Sequence, residues 1–144
     1  MNSSTSRLAL SVVVAAAGLL ALAGCTPGPG AVENYSGLPD EHDVAGASEE
    51  VDGGPQAFWM NDGGQIAITV WGSSTCPPIG KDLNVVEPAG EGNSVDVVMA
   101  PISDGPCTMD YVPHTTVFST PLHVTTAKPL QISVGDTTIE LPIK

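Results

Sequence analysis

The sequence predicts an all-β domain, a small antiparallel β-sandwich of seven to eight strands, and three observations carry that prediction. The chain has 144 residues with 16 Gly and 13 Pro, and from Pro55 onward no stretch free of both exceeds eight residues. Ordinary helices of ten or more residues do not fit between such breakers. Between them the apolar residues are largely β-branched and fall in short, nearly evenly spaced runs, the pattern of a sandwich or barrel. At two places turn residues join runs whose apolar positions match in hairpin register, so pairing and burial agree.

Taken in order, Gln56 to Met60 and Gln65 to Trp71 flank Asn61-Asp62-Gly63-Gly64. A loop there of two or four residues sets Trp59 opposite Ile66 and Phe58 opposite Ala67. Ile66, Ile68 and Val70 then share the core face with Trp59. The opposite face carries Phe58, Ala67, Thr69 and Trp71. Two large aromatics on a face expected to be wet mark a contact surface, unless a loop or second sheet covers them. Asp82 to Val86, Ser94 to Ala100, His114 to Ser119 and Leu122 to Thr126 are the next expected strands. The last two, Leu130 to Val134 and Thr137 to Leu141, are joined by Gly135-Asp136. A two-residue loop sets Ile139 opposite Ile132, Leu141 opposite Leu130 and Glu140 opposite Gln131, apolar against apolar and polar against polar. The expected architecture is immunoglobulin-like or related.

Ahead of this domain, at residues 55–144, lie two further segments. Residues 1–24 begin with a polar stretch ending at Arg7, followed by an apolar run from Leu8 to Ala23. That run is shorter than the roughly 20 residues needed to cross a bilayer, and it ends in small residues, as a secretory signal does. Leu22-Ala23-Gly24-Cys25 resembles the bacterial lipobox at every position. The resemblance implies that Cys25 is acylated on sulfur and becomes the mature N-terminus. It also implies that the protein stays on the outer face of the cytoplasmic membrane, since several acyl chains anchor far more firmly than one. Loss of Arg7 with the leader takes the net charge from −12 to −13. With so few basic residues, phosphate backbones and anionic lipid surfaces are improbable partners.

Residues 25–54 are expected to be the lipidated N-terminus and a disordered acidic linker. Pro27-Gly28-Pro29-Gly30 is followed by Glu33, Asp40, Glu41, Asp43, Glu49, Glu50 and Asp52, with no base among them. Low hydrophobicity and net charge do not offset ordering entropy. Glu41-His42-Asp43 has metal-ligand chemistry, but adjacent residues on a flexible chain do not converge on an ion.

With Cys25 assigned to lipid, Cys76 and Cys107 form an even pair in an exported chain, which predicts a structural disulfide. Catalytic signals are weak. Gly72-Ser73-Ser74-Thr75-Cys76 offers hydroxyls without the Gly-x-Ser-x-Gly elbow. Asp62, Asp82, Asp104, Asp110 and Asp136 sit where turns are expected, which explains them without catalysis. His114 and His123, with Met99 and Met109, are the candidates for copper or zinc, at a spacing that matches no known motif.

Trp71-Gly72-Ser73-Ser74-Thr75-Cys76-Pro77-Pro78, and again Pro106-Cys107-Thr108-Met109-Asp110-Tyr111-Val112-Pro113-His114-Thr115-Thr116, resemble small exported lipoproteins of actinobacteria. Those carry a Trp-Gly-Ser-Ser-x-Cys segment and a later Cys-x-x-Asp-Tyr segment. The likeness spans residues 56–119 and the lipobox. It implies location and a disulfide-bridged β domain, and no particular reaction. The function expected is a non-enzymatic binding module without a cofactor, anchored at Cys25. Its partner would be an envelope protein or glycan, and its binding face Phe58, Ala67, Thr69 and Trp71. The competing readings are a metal-handling lipoprotein using His114 and His123, a secreted enzyme, and an inhibitor presenting the Cys76 loop to a protease.

Overall fold

The computed structural model describes residues 28–144; the leader, the lipobox and Cys25 lie outside the described residues. Nine strands form among the described residues: β1 Ala31–Ser36, β2 Val44–Ala47, β3 Gln56–Met60, β4 Gln65–Gly72, β5 Gly80–Glu87, β6 Ser94–Met99, β7 Val112–Ser119, β8 Leu130–Val134 and β9 Thr137–Leu141. They make two sheets, ordered β1-β7-β4-β3-β2 and β5-β6-β8-β9. Trp59, Ile66, Ile68 and Phe118 from the first meet Leu83, Val95, Leu130, Ile132 and Leu141 from the second in one buried core. The indole Nε1 of Trp59 donates to the Pro142 carbonyl at 2.7 Å, so the largest core side chain keeps its polar atom satisfied.

Both expected hairpin registers are present. Trp59 pairs with Ile66 and Phe58 with Ala67; Leu130 pairs with Leu141, Gln131 with Glu140 and Ile132 with Ile139. Between β3 and β4 the chain turns through left-handed backbone at Asn61, Asp62 and Gly63 (φ +46°, +54° and +83°). These residue types accept that conformation at the least steric cost. β6 and β8 pair in parallel, a departure from the all-antiparallel expectation. The crossover this requires is supplied by residues 100–129, which visit the other sheet as β7.

Two expectations are corrected. Residues 25–54 are not a disordered linker throughout: β1 and β2 arise within them and form the two edges of the five-stranded sheet. β1 pairs with β7, Tyr35 opposite Thr115, and β2 with β3, Ala47 opposite Phe58. Most β1 side chains are exposed, so the order comes from main-chain pairing that composition does not register. Glu33, the one acid in these two strands, is at home on an edge strand, where a charge discourages pairing with another chain.

Leu122 to Thr126 is not a strand. Pro121 starts a turn closed by Val124 N–H to the Pro121 carbonyl at 3.0 Å. The backbone beyond it is held by one buried side chain, Asn93. Its amide donates to the carbonyls of Thr125, Lys128 and Pro129 at 3.0, 3.3 and 3.0 Å. Its Oδ1 accepts from Thr125 N–H at 3.0 Å. A β-branched run bracketed by prolines thus finds its hydrogen bonds in a side chain rather than in a ladder.

Candidate functional site

Phe58, Ala67, Thr69 and Trp71 do share one face of the first sheet, as their alternation requires, but that face is not free. Ala67 and Thr69 are 0% exposed, and Phe58 and Trp71 are half-buried. β1 and β2 lie at opposite edges, and residues 37–43 connect them across this side of the sheet. The Thr115 hydroxyl bonds the Gly37 carbonyl at 2.6 Å and meets Thr69 Oγ1 at 2.7 Å. Pro39 is buried, and Leu38 lines shallow grooves with Phe58 on one side and Val117 on the other. Phe58 and Ala67 belong to a second, smaller core with Met60, Val117 and Tyr35, flanked by the segment expected to be a linker, so the face expected to be wet is largely covered.

The two histidines are not brought together. His114 is buried near the start of β7, its Nε2 3.4 Å from Asn34 Oδ1, and burial lowers its pKa. His123 lies in the turn beyond the other end of that strand, and the five residue steps from His114 to Ser119 alone span about 16 Å. No group of three or more His, Cys, Asp or Glu converges among the described residues.

The structure instead gathers the cysteine segments into one knob. β4 and β7 are antiparallel neighbours ending at Gly72 opposite Val112, so the chain leaving β4 and the chain entering β7 emerge side by side. A Cβ on Gly72 would lie 2.6 Å from Pro78 Cδ; glycine here lets the departing loop fold back on its own strand. Cys76 and Cys107 then meet as a disulfide with Cα atoms 5.5 Å apart, as expected. Where the ladder stops, side chains continue it. Ser74 N–H donates to Asp110 Oδ1 at 3.0 Å, and Thr108 N–H to Thr75 Oγ1 at 2.9 Å. The Thr108 hydroxyl donates to Asp110 Oδ1 and lies 2.8 Å from Ser73 Oγ and 3.2 Å from both Ser74 Oγ and Thr75 Oγ1.

This network sets the electrostatics. Hydrogen bonds from the Ser74 side chain, then the Thr108 side chain, then the Ser74 backbone hold the Asp110 carboxyl down at a pKa of about 2. Donors to the ionised form stabilise it. A carboxylate of such low basicity is a poor proton acceptor for the neighbouring hydroxyls, and the group works as a lock. One further tie is made by Tyr111, whose hydroxyl donates to the Gly53 carbonyl at 2.6 Å.

Beside the lock stand three large apolar or aromatic side chains. Every residue from Pro101 to Tyr111 is exposed. Among them Ile102 is 64%, Tyr111 61% and Met109 103% exposed, so Met109 stands clear of the protein at a bend of the chain. Sequence reasoning weighed Met109 only as a thioether ligand and Asp110 only as a turn residue. The available signal was an apolar Met flanked by Thr and Asp directly after a bridged Cys.

No family model matches the chain, nor does any curated protein or solved structure.

Proposed function

We propose that this protein is an exported lipoprotein that displays a rigid contact loop, residues 100–111, away from the membrane surface to which Cys25 anchors it. The observation that carries the reading is the placement of the two ends. Gly28, the first described residue, is three residues from Cys25, at most about 11 Å of extended chain. β1 starts at Ala31 beside Phe118, near the C-terminal end of β7, whereas the stapled loop leads into the N-terminal end at Val112. The length of β7, about 25 Å for its eight residues, separates them. The anchored end faces the lipid and the knob faces outward.

Rigidity supports the same conclusion. A loop held by a disulfide and side-chain bonds loses little conformational freedom when it meets a partner, so more of its contact energy appears as affinity. The partner class is an envelope protein or glycan, and no cofactor takes part.

Cross-linking in intact cells tests this, with the full chain compared with its Met109→Asp and Cys25→Ser variants. One dominant adduct that is lost in Met109→Asp, together with release of Cys25→Ser from the membrane fraction, is the expected result. An adduct indifferent to Met109 overturns the contact surface, and unchanged membrane retention of Cys25→Ser overturns the anchor.

A further inference from the structure

The geometry points to a serine endopeptidase with an apolar primary pocket as the partner, bound by the segment Cys107–Tyr111 in the manner of an uncleaved substrate. The inference rests on the reading of residues 100–111 as the contact surface. Substrate clefts accept a protruding segment whose one deep contact is a single side chain, and they cleave segments that can relax into the reacting geometry. This loop supplies the first property and withholds the second.

The supply is Met109, fully exposed and unbranched, with an apolar chain of a size that fills a hydrophobic slot. The withholding lies in its neighbours, each of which is tied to the protein or to the other. Cys107 is bridged to Cys76. Thr108 is held through its N–H by Thr75. Asp110 receives Ser74 N–H, and Tyr111 is held by Gly53. The bond from the Thr108 hydroxyl to Asp110 Oδ1 spans Met109 and joins the residues on either side of it. Met109 is therefore free to enter a pocket while the backbone through it stays restrained.

The chemistry of that restraint is reversible. When the protease serine attacks the Met109 carbonyl carbon, the Met109–Asp110 C–N bond breaks, an acyl ester forms, and the Asp110 nitrogen takes the proton as a free amine. In an ordinary substrate that amine diffuses away and water completes hydrolysis. Here Asp110 remains tied to Ser74 and Thr108, and the chain after it continues into β7, which lies between β1 and β4. The amine stays beside the ester, re-forms the peptide bond and expels the serine. The complex persists because religation outpaces hydrolysis. Thr108 is a positioning residue in this scheme.

The test uses the full chain in mild detergent with α-chymotrypsin, subtilisin and trypsin. The expected result is inhibition of at least one of the first two at micromolar concentration or tighter. Met109→Asp should weaken it about 100-fold, as loss of a central anchor does. Met109→Lys should move inhibition to trypsin, whose pocket carries an acid. Thr108→Val should speed cleavage at Met109–Asp110 about 10-fold or more at unchanged Tm, with Thr108→Ser restoring resistance. Rapid cleavage of the unaltered loop overturns the proposal, and so does absence of inhibition by the intact loop at about 100 times the micromolar level. A Met109-dependent adduct in cells then shows whether the broader contact-loop reading survives that failure.

Discussion

Asn93 holds more of the fold than its size suggests, and replacing it with Ala puts a number on that. The residue is 0% exposed and sits at φ +59°, where Asn is tolerated better than Ala by up to about 1 kcal/mol. Its side chain serves four backbone groups: the N–H of Thr125 and the carbonyls of Thr125, Lys128 and Pro129. At about 1 kcal/mol of net stability for each of three well-placed bonds, with part of the desolvation cost recovered by water, the loss is about 3 kcal/mol. Together with the backbone term it comes to about 4 kcal/mol. A domain of this size has roughly 6–15 kcal/mol in total, so the variant should fold with a urea midpoint lowered by roughly 2–3 M.

Asn93→Asp sharpens the test. It sets an oxygen against three carbonyls, so the carboxyl is protonated more readily in the folded than in the unfolded state. A raised folded-state pKa means stability that is full at low pH and lost as pH rises. Asn93→Asp should therefore be more stable near pH 4 than near pH 7, opposite to most acidic proteins. Urea titrations of both variants at both pH values decide the matter. A loss below about 1 kcal/mol for Asn93→Ala, or no pH reversal for Asn93→Asp, would show that solvent replaces Asn93 freely and that the loop does not depend on it.

Two further outcomes follow from packing and linkage. Changing Cys76 and Cys107 together to Ser frees a loop closed over a separation of 31 residues, which should cost about 3.7 kcal/mol on the chain-entropy account. Chemical denaturation measures this, and limited proteolysis should find new cuts confined to residues 100–111. For His114, burial lowers the folded-state pKa from the usual 6.5, so the unfolded chain binds the proton first and stability falls as pH drops below about 6.5. Comparing denaturation at pH 7.5 and pH 5 should show a smaller fall in His114→Gln than in the unaltered chain.

Local pairing was legible in the residues themselves. Gly135-Asp136 joins runs that agree in pattern, and Gly135 indeed takes φ +58°, the left-handed value a tight hairpin demands at its first loop position. Asn61 to Gly63 announce a turn for the same reason, and the even cysteine pair announces its bridge. In each case the determining interaction lies within a few positions, or follows from redox chemistry. The tertiary structure decided what depends on distant partners. β1 is mostly exposed and lacks a strand's apolar alternation, and only β7, about 80 residues along the chain in Asn34 opposite Thr116, makes it a strand. The run from Leu122 to Thr126 has strand composition, yet Asn93 supplies the bonds a ladder would have given. The face carrying Phe58 and Trp71 alternates as an exposed face should, and Phe58 becomes half-buried where residues 37–43 cross from one sheet edge to the other. The contact loop follows the same logic. Met109 is an unremarkable residue until the antiparallel ends of β4 and β7 set Ser74 beside Asp110, and Thr108 and Asp110 on either side of it are tied down while its own side chain stands in solvent.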